Sequence, residues 1–425
     1  MIKRLLNKSD FLKNVATLIT GTIIAQLIPL LLRPVLSRIY SEEEFGTFTI
    51  YLSIIGVLGS VGNLKYEGAI VLPNSDKKAS ALVIGSLFVS LIFSVFWLLT
   101  FYIFENSITE VYPNITKIKF WGLIIPLSIF IISSNRVLNY WLIRQKAFRA
   151  ASINKLARRS SEGTAHFSLA YTPKLQGLII GSFIGEFINL VVSYRQSLKA
   201  KLSIRNVSKI EIKSQLLKYK EFPLFAFIPS LLDTLSLFLP ILVISMMFDL
   251  KTTGQVGFSQ QMLSIPLALI SVSIGQVLVQ KVAESNRAKK NITSLILKIS
   301  LALTSISILG ILIMELFGVQ LFMFVFGDNW EFAGEISKIL VFTYAVKFIV
   351  SPLTSIFTSL NKIKISSVWQ VGYFFTILIS LYFIKDLPIK EFLTSYVIID
   401  LIAFSIYYFI LIGVCINNDK KMTDD

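Results

Sequence analysis

The side chains able to do chemistry in this chain lie inside its hydrophobic stretches. The densest group is NKLARRSSEGTAHFSLAY, where Lys155, Arg159, Glu162 and His166 follow one another at spacings of four, three and four. At about 100° per residue these spacings confine the four to an arc of about 60° on a helix, a single polar stripe. On insertion scales Arg158, Arg159 and Glu162 would together cost about 6–10 kcal/mol at the centre of a membrane helix. Either the stripe walls a cavity, or its basic members snorkel to headgroups while Glu162 and His166 lie deeper. Those two share a face and could relay a proton; the alternative for His166 is a hydrogen-bonded structural role.

Further charges interrupt apolar runs in both halves: Arg33, Lys65, Glu67, Arg136 and Glu186 in the first, and Asp233, Lys347 and Asp400 in the second. Cations lead in the first half, and a strongly anionic headgroup would find partners there at several depths. The plainer reading of any one of them is a buried ion pair or a snorkelling side chain. With one histidine, His166, and one cysteine, Cys415, no His-rich or Cys-based metal site and no intrachain disulfide is expected. No GxxxxGK[ST] phosphate loop occurs, so nucleotide hydrolysis within the chain is not expected, and the only cofactors foreseen are coupling H+ or Na+.

The elements that must position these groups are membrane helices. The chain has 425 residues, 54% of them hydrophobic and 16% charged, with a mean hydropathy of +0.71, values that exclude an ordinary soluble protein. Residues 11 to 72 read as a hairpin of two apolar arms around SEEEFG, each arm longer than the roughly 20 residues that span a bilayer. The basic opening MIKRLLNKSD precedes an arm much longer than a signal-peptide core and predicts an uncleaved first helix. Shifted by 211 residues, positions 11–61 match 222–272 at ten places, Pro29/Pro240 and Gly46/Gly257 among them, which suggests a duplicated unit.

Further segments at about 79–104, 120–142, 153–171 and 175–194, then 219–248, 254–281, 292–317, 334–359, 365–384 and 391–415, bring the total to twelve. The predicted fold is an all-α polytopic membrane protein. Its domains are a first six-helix bundle over 1–195, a basic linker over 196–218 and a second bundle over 219–425. Loops on the side of the termini hold 28 Lys and Arg against seven on the other, which places both termini in the cytoplasm. The net charge of +16 is thereby a matter of topology, and no nucleic-acid partner is expected. The linker, YRQSLKAKLSIRNVSKIEIKSQLLKYKE, is either a solvated connector or an amphipathic helix against anionic headgroups. Prolines 29, 34, 223, 229 and 240 predict bends in helices 1 and 7, and Gly181 with Gly185 predicts close helix packing.

Four stretches carry a resemblance: IPLLLRPVLSRIYSEEEFGTF, LKYEGAIVLP, NYWLIRQKAFRAASINKLARRSSEG and YKEFPLFAFIPSLLDTLSLFLP. Together they resemble the Wzx-type oligosaccharide flippases of the multidrug/oligosaccharidyl-lipid/polysaccharide superfamily. The resemblance implies two six-helix bundles related by a pseudo-twofold axis, enclosing a cavity of alternating access. The implied substrate is an undecaprenyl-pyrophosphate-linked oligosaccharide repeat unit, flipped from the cytoplasmic to the periplasmic leaflet of a bacterial inner membrane for O-antigen or other surface polysaccharide. The implied partners are membrane lipid and polysaccharide polymerase or chain-length machinery. Arg33, Lys65, Arg136, Arg159 and Lys347 would then bind the pyrophosphate, with Glu162, His166, Asp233 and Asp400 as ion-coupling candidates. A drug or small-cation antiporter on the same fold would want an acidic cavity. A membrane polymerase or ligase would want a long outer loop, and the loops here are short; no enzyme is expected.

Overall fold

The computed structural model describes residues 2–111, 118–172, 176–204, 207–287 and 291–424. Lys117, Lys174, Arg205, Lys289 and Lys290, five of the loop cations counted above, lie outside them. Among the described residues there are twelve helices of 20 residues or more and no strand. Six precede the linker: α1 (Ile2–Ile39), α2 (Glu42–Val61), α3 (Asp76–Ile103), α4 (Ile118–Arg144), α5 (Phe148–Leu169) and α6 (Gly177–Lys199). Six follow: α7 (Phe227–Met247), α8 (Leu250–Arg287), α9 (Ile292–Phe326), α10 (Glu331–Val350), α11 (Ile363–Ile384) and α12 (Ile389–Asp424). Helices are what a bilayer demands, since lipid offers no partner to an unpaired backbone N–H or C=O.

Ten of the twelve are long and apolar enough to cross a membrane. The exceptions, α5 and α8, carry polar groups that bond to neighbouring elements. In α8 the Gln255 amide donates to the Asn329 carbonyl at 2.7 Å, and the Ser259 hydroxyl to the Ala333 carbonyl at 2.7 Å. Such bonds, with small residues that let backbones approach, are what holds helices together where the surroundings are as oily as the interior.

By packing, the chain forms two units, residues 1–40 with 47–238, and residues 41–46 with 239–425. The core of the first gathers Tyr66, Leu82, Val137, Trp141, Leu142 and Leu202. That of the second gathers Leu278, Val282, Ile296, Leu353, Phe357 and Tyr407. The second unit also holds an aromatic cluster in which Phe45 meets Phe258 edge-on at 5.2 Å and Trp330 edge-on at 5.1 Å. At its base Gly46 faces the Leu250 carbonyl and Gly254 the Glu42 carbonyl so closely that a Cβ on either glycine would collide with backbone.

Two segments differ from expectation. The second arm of the first hairpin, read from the sequence as continuing to Leu72, stops at Val61. Asn63 Oδ1 accepts the Lys65 N–H at 3.2 Å, and Leu64 and Lys65 take left-handed φ of 49° and 65°, so the chain turns into a 3₁₀ helix at Tyr66–Val71. The seventh helix, expected from 219, begins at Phe227; it is preceded by short helices Lys209–Lys218 and Glu221–Phe225, the latter containing Pro223.

Candidate functional site

The charges singled out from the sequence fall into three clusters. The first is built on α5, whose polar positions are distributed over its circumference. Lys155 Nζ donates to Thr22 Oγ1 of α1 at 2.8 Å, and Arg159 Nη1 pairs with Glu162 Oε2 at 2.8 Å one turn on. Arg158, one position earlier and so about 100° round the helix, points to α6 instead and holds Glu186 at 2.8 Å. The other oxygen of Glu186 accepts from Asn135 Nδ2 of α4 at 2.8 Å. Gly181 and Gly185 let α6 approach: the first lies against the His166 ring, the second against the Cβ of Glu162.

His166 Nε2 is 2.9 Å from the Leu178 carbonyl oxygen. A carbonyl can only accept, so Nε2 carries the hydrogen. The Tyr40 hydroxyl donates to the His166 carbonyl at 2.6 Å, and Phe48 meets the ring edge-on. Pro29, Arg33, Phe48, Arg159, Glu162 and His166 line a cavity of about 30 Å³. This brings together three members of the predicted stripe and Arg33 of α1, with room for about one water. The cluster is closed, and a diphosphate has no space in it.

The second cluster lies where α2 ends. Lys65 Nζ is 3.6 Å from Glu67 Oε1, with side chains 21% and 4% exposed. Arg136 Nη1 lies 3.5 Å from the Ser60 carbonyl, and the carboxylate of Asp233 is within the electrostatic reach of Lys65. Asp233 is exposed and Lys65 half-buried, so this group is the more open of the clusters in the first unit.

The third is in the second unit. Asp400 of α12 is fully buried and accepts Lys347 Nζ at 2.6 Å, the Tyr373 hydroxyl at 2.6 Å and the Thr343 hydroxyl. Tyr396 bonds to Tyr373 behind it, and the Phe404 ring centroid lies 5.1 Å from the Lys347 ammonium. Among the described residues no group of three or more His, Cys, Asp or Glu is placed to hold a metal ion.

The sequence reading grouped Arg158 with Arg159 and Glu162 but not with Glu186, its partner here, and it missed Asn135, Thr343 and Tyr373. A signal existed for Arg158, since a second arginine beside Arg159 must face elsewhere and Glu186 lay unassigned. Nothing in the sequence marks the other three among many similar polar residues.

The fold is one found in solved membrane transporters. An inward-facing multidrug resistance MATE family transporter of the MOP superfamily superposes with a TM-score of 0.72 at 13% identity, covering 93% of this chain and 96% of that one. The lipid II flippase MurJ, in an inward closed conformation, superposes with 0.71 at 15% identity, covering 95% and 89%. A MOP superfamily transporter from Pyrococcus furiosus, described as having a binding pocket of reverse polarity, gives 0.61 at 14% identity, covering 97% and 96%. No curated protein matches the chain. The family model for "polysaccharide biosynthesis protein" matches residues 11–279, and the chain belongs to that family. Both the family and the two-bundle helical fold are those the sequence resemblance implied.

Proposed function

We propose that this protein is a flippase for undecaprenyl-pyrophosphate-linked oligosaccharide repeat units. It moves them by alternating access from the cytoplasmic to the periplasmic leaflet of the inner membrane, with both termini cytoplasmic. Membership of the polysaccharide biosynthesis family supports the substrate class. The observation that carries the anionic headgroup is the set of intramembrane cations, Lys65, Arg136 and Lys347, held by single or distant partners and so available to a stronger anion. A pyrophosphate offers charge-assisted bonds to each. Arg33 and Arg159 join them only when the closed α5 cluster opens.

The setting of Asp400 supports ion coupling. A diphosphate that draws Lys347 away leaves a carboxylate in a dry site with only hydroxyl partners, and the least costly remedy is uptake of a proton from water. Glu162, His166 and Asp233 are the corresponding candidates of the first unit. In Glu162 the exchange would be against Arg159, its partner in the closed cluster.

The test is leaflet transfer of a fluorescent undecaprenyl-pyrophosphate oligosaccharide in proteoliposomes under a proton gradient, then a sodium gradient. Wild type should transfer it. Lys65→Ala, Arg33→Ala and Arg159→Ala should each lose at least about tenfold, the worth of one charge-assisted bond, while inserting normally. A wild type that transfers nothing under either gradient, but exports organic cations, would overturn the proposal in favour of a drug antiporter.

A further inference from the structure

Between α6, which ends at Lys199, and α7, which begins at Phe227, the chain stays at one membrane surface, because both helices are apolar enough to cross. There it forms the helices Lys209–Lys218 and Glu221–Phe225. The first is capped: Ser208 Oγ accepts the Glu211 N–H at 3.2 Å while Glu211 Oε2 accepts the Ser208 N–H at 2.8 Å. One face of this segment is fixed to the first unit. Gln215 is buried, Leu216 packs over Gly85 of α3, the Leu216 carbonyl accepts the Tyr66 hydroxyl at 3.2 Å, and Phe222 lies on Gly68.

The opposite face is unlike a solvated connector. Ile210 is 81% exposed, Leu217 58%, Leu224 63% and Phe225 74%. In the longer helix Ile210 and Leu217 flank Lys213 and Ser214 at i, i+3, i+4 and i+7, a single stripe. Lys209, Lys213, Lys218 and Lys220 are exposed around these apolar residues. Glu211 does not offset them, because its carboxylate is held by Lys77 at 2.7 Å and by the cap; Glu221 is the remaining carboxylate on the stretch.

We infer that residues 209–225 form an interfacial binding site for anionic phospholipid. The headgroup phosphates lie against Lys209, Lys213, Lys218 and Lys220, and Ile210, Leu217, Leu224 and Phe225 enter the acyl region. The occupant is lipid because the segment is covalently pinned to the bilayer surface at both ends, and apolar side chains at that level meet acyl chains. It is anionic lipid because the charge presented there is positive. The inner face carries the consequence inward. Tyr66 and Gly68, which it grips, belong to the turn that holds Lys65 and Glu67, so lipid on one side of the segment steadies the candidate anion-binding lysine on the other. The site does not depend on what the protein transports.

The full chain carrying Ser214→Cys, labelled with an environment-sensitive fluorophore, tests this, since Cys415 is buried and Ser214 sits on the stripe without an inner contact. The protein is reconstituted into phosphatidylcholine liposomes with or without phosphatidylglycerol at roughly a third of the lipid, each containing nitroxide-labelled lipid. Each lysine near an anionic surface is worth about a fivefold change in occupancy. Quenching should therefore rise several-fold with phosphatidylglycerol. Lys209→Gln with Lys213→Gln and Lys220→Gln, all on exposed positions, should abolish that rise, and Ile210→Ser with Leu217→Ser should lower quenching in both membranes. A label left unquenched in both, equal quenching in both, or a rise that survives the lysine substitutions would overturn the inference.

Discussion

The two units solve the cost of intramembrane charge in different ways. The first spreads it: on and around α5, the cations Arg33, Lys155, Arg158 and Arg159 face Glu162 and Glu186, and Asn135, Thr22 and backbone carbonyls take up what the carboxylates leave. The second rests its fully buried charge on one carboxylate, Asp400, met by one ammonium and two hydroxyls, while its Lys338–Glu315 pair stays partly exposed. A distributed network with excess cations tolerates the loss of a member by re-pairing. A single buried pair has no substitute partner, so it is either intact or must change its charge.

The largest effect should come from breaking that single pair. Lys347→Met should destabilise the protein by about 3–5 kcal/mol, whereas Lys347→Met with Asp400→Leu should recover most of it, because the penalty lies in the orphaned charge. Thermal unfolding in detergent micelles would show it, and additive losses in the double variant would contradict the comparison. Next comes Gly181→Ala in the first unit, which presses a methyl into the His166 ring. It should cost about 1–3 kcal/mol and disturb transfer under a gradient if the closed cluster has to open.

Glu186→Gln keeps the hydrogen bond from Asn135 but removes the partner of Arg158, which has Glu162 nearby. A cost of about 0.6–1.7 kcal/mol, the range of interhelical polar contacts in membranes, would sharpen the contrast with Lys347→Met. A loss as large as the latter would erase it. The smallest effect is at the surface. The hydrogen bond from Lys77, with that from the Ser208 backbone, holds the Glu211 carboxyl at about 2 instead of 4.5. A depressed carboxylate pKa stabilises above the unfolded value and loses that contribution as pH falls through the folded one. Fluorescence anisotropy of the label at position 214 should accordingly be flat above pH 4.5 and fall as the pH approaches 2, a change weakened by salt.

How much was legible from sequence follows the same divide. Hydropathy and lengths located the twelve helices, and the spacing of Arg159, Glu162 and His166 put them on one face, because helical geometry is local. Their relation to Arg33 was not legible, since it depends on how α1 packs over α5. Nor was the pairing of Lys347 with Asp400, 53 positions apart in the chain, as hydropathy says that a charge is buried without saying what meets it. The break after Val61 was hidden because GNLKYEGAIV is apolar enough to continue a span; its glycines at 62 and 68 were the available sign. Of the two readings of the stripe, the geometry has Arg159, Glu162 and His166 lining a cavity of about 30 Å³, a size that hydropathy and spacing do not encode.

The aromatic cluster of Phe45, Phe258 and Trp330 bears on how the protein is made. Phe45 leaves the ribosome early, but both rings it packs against come from the second half, the later of them 285 positions downstream. At about 5–20 residues per second, Phe45 waits tens of seconds for Trp330. Throughout that interval residues 41–46 lack the unit they belong to. A fragment cut at the linker would leave each half unfinished: the later one would lack its first six residues, and the earlier one would carry them with nothing to fold onto. Co-expression of fragments 1–207 and 208–425 should therefore yield stable protein where either fragment alone is degraded.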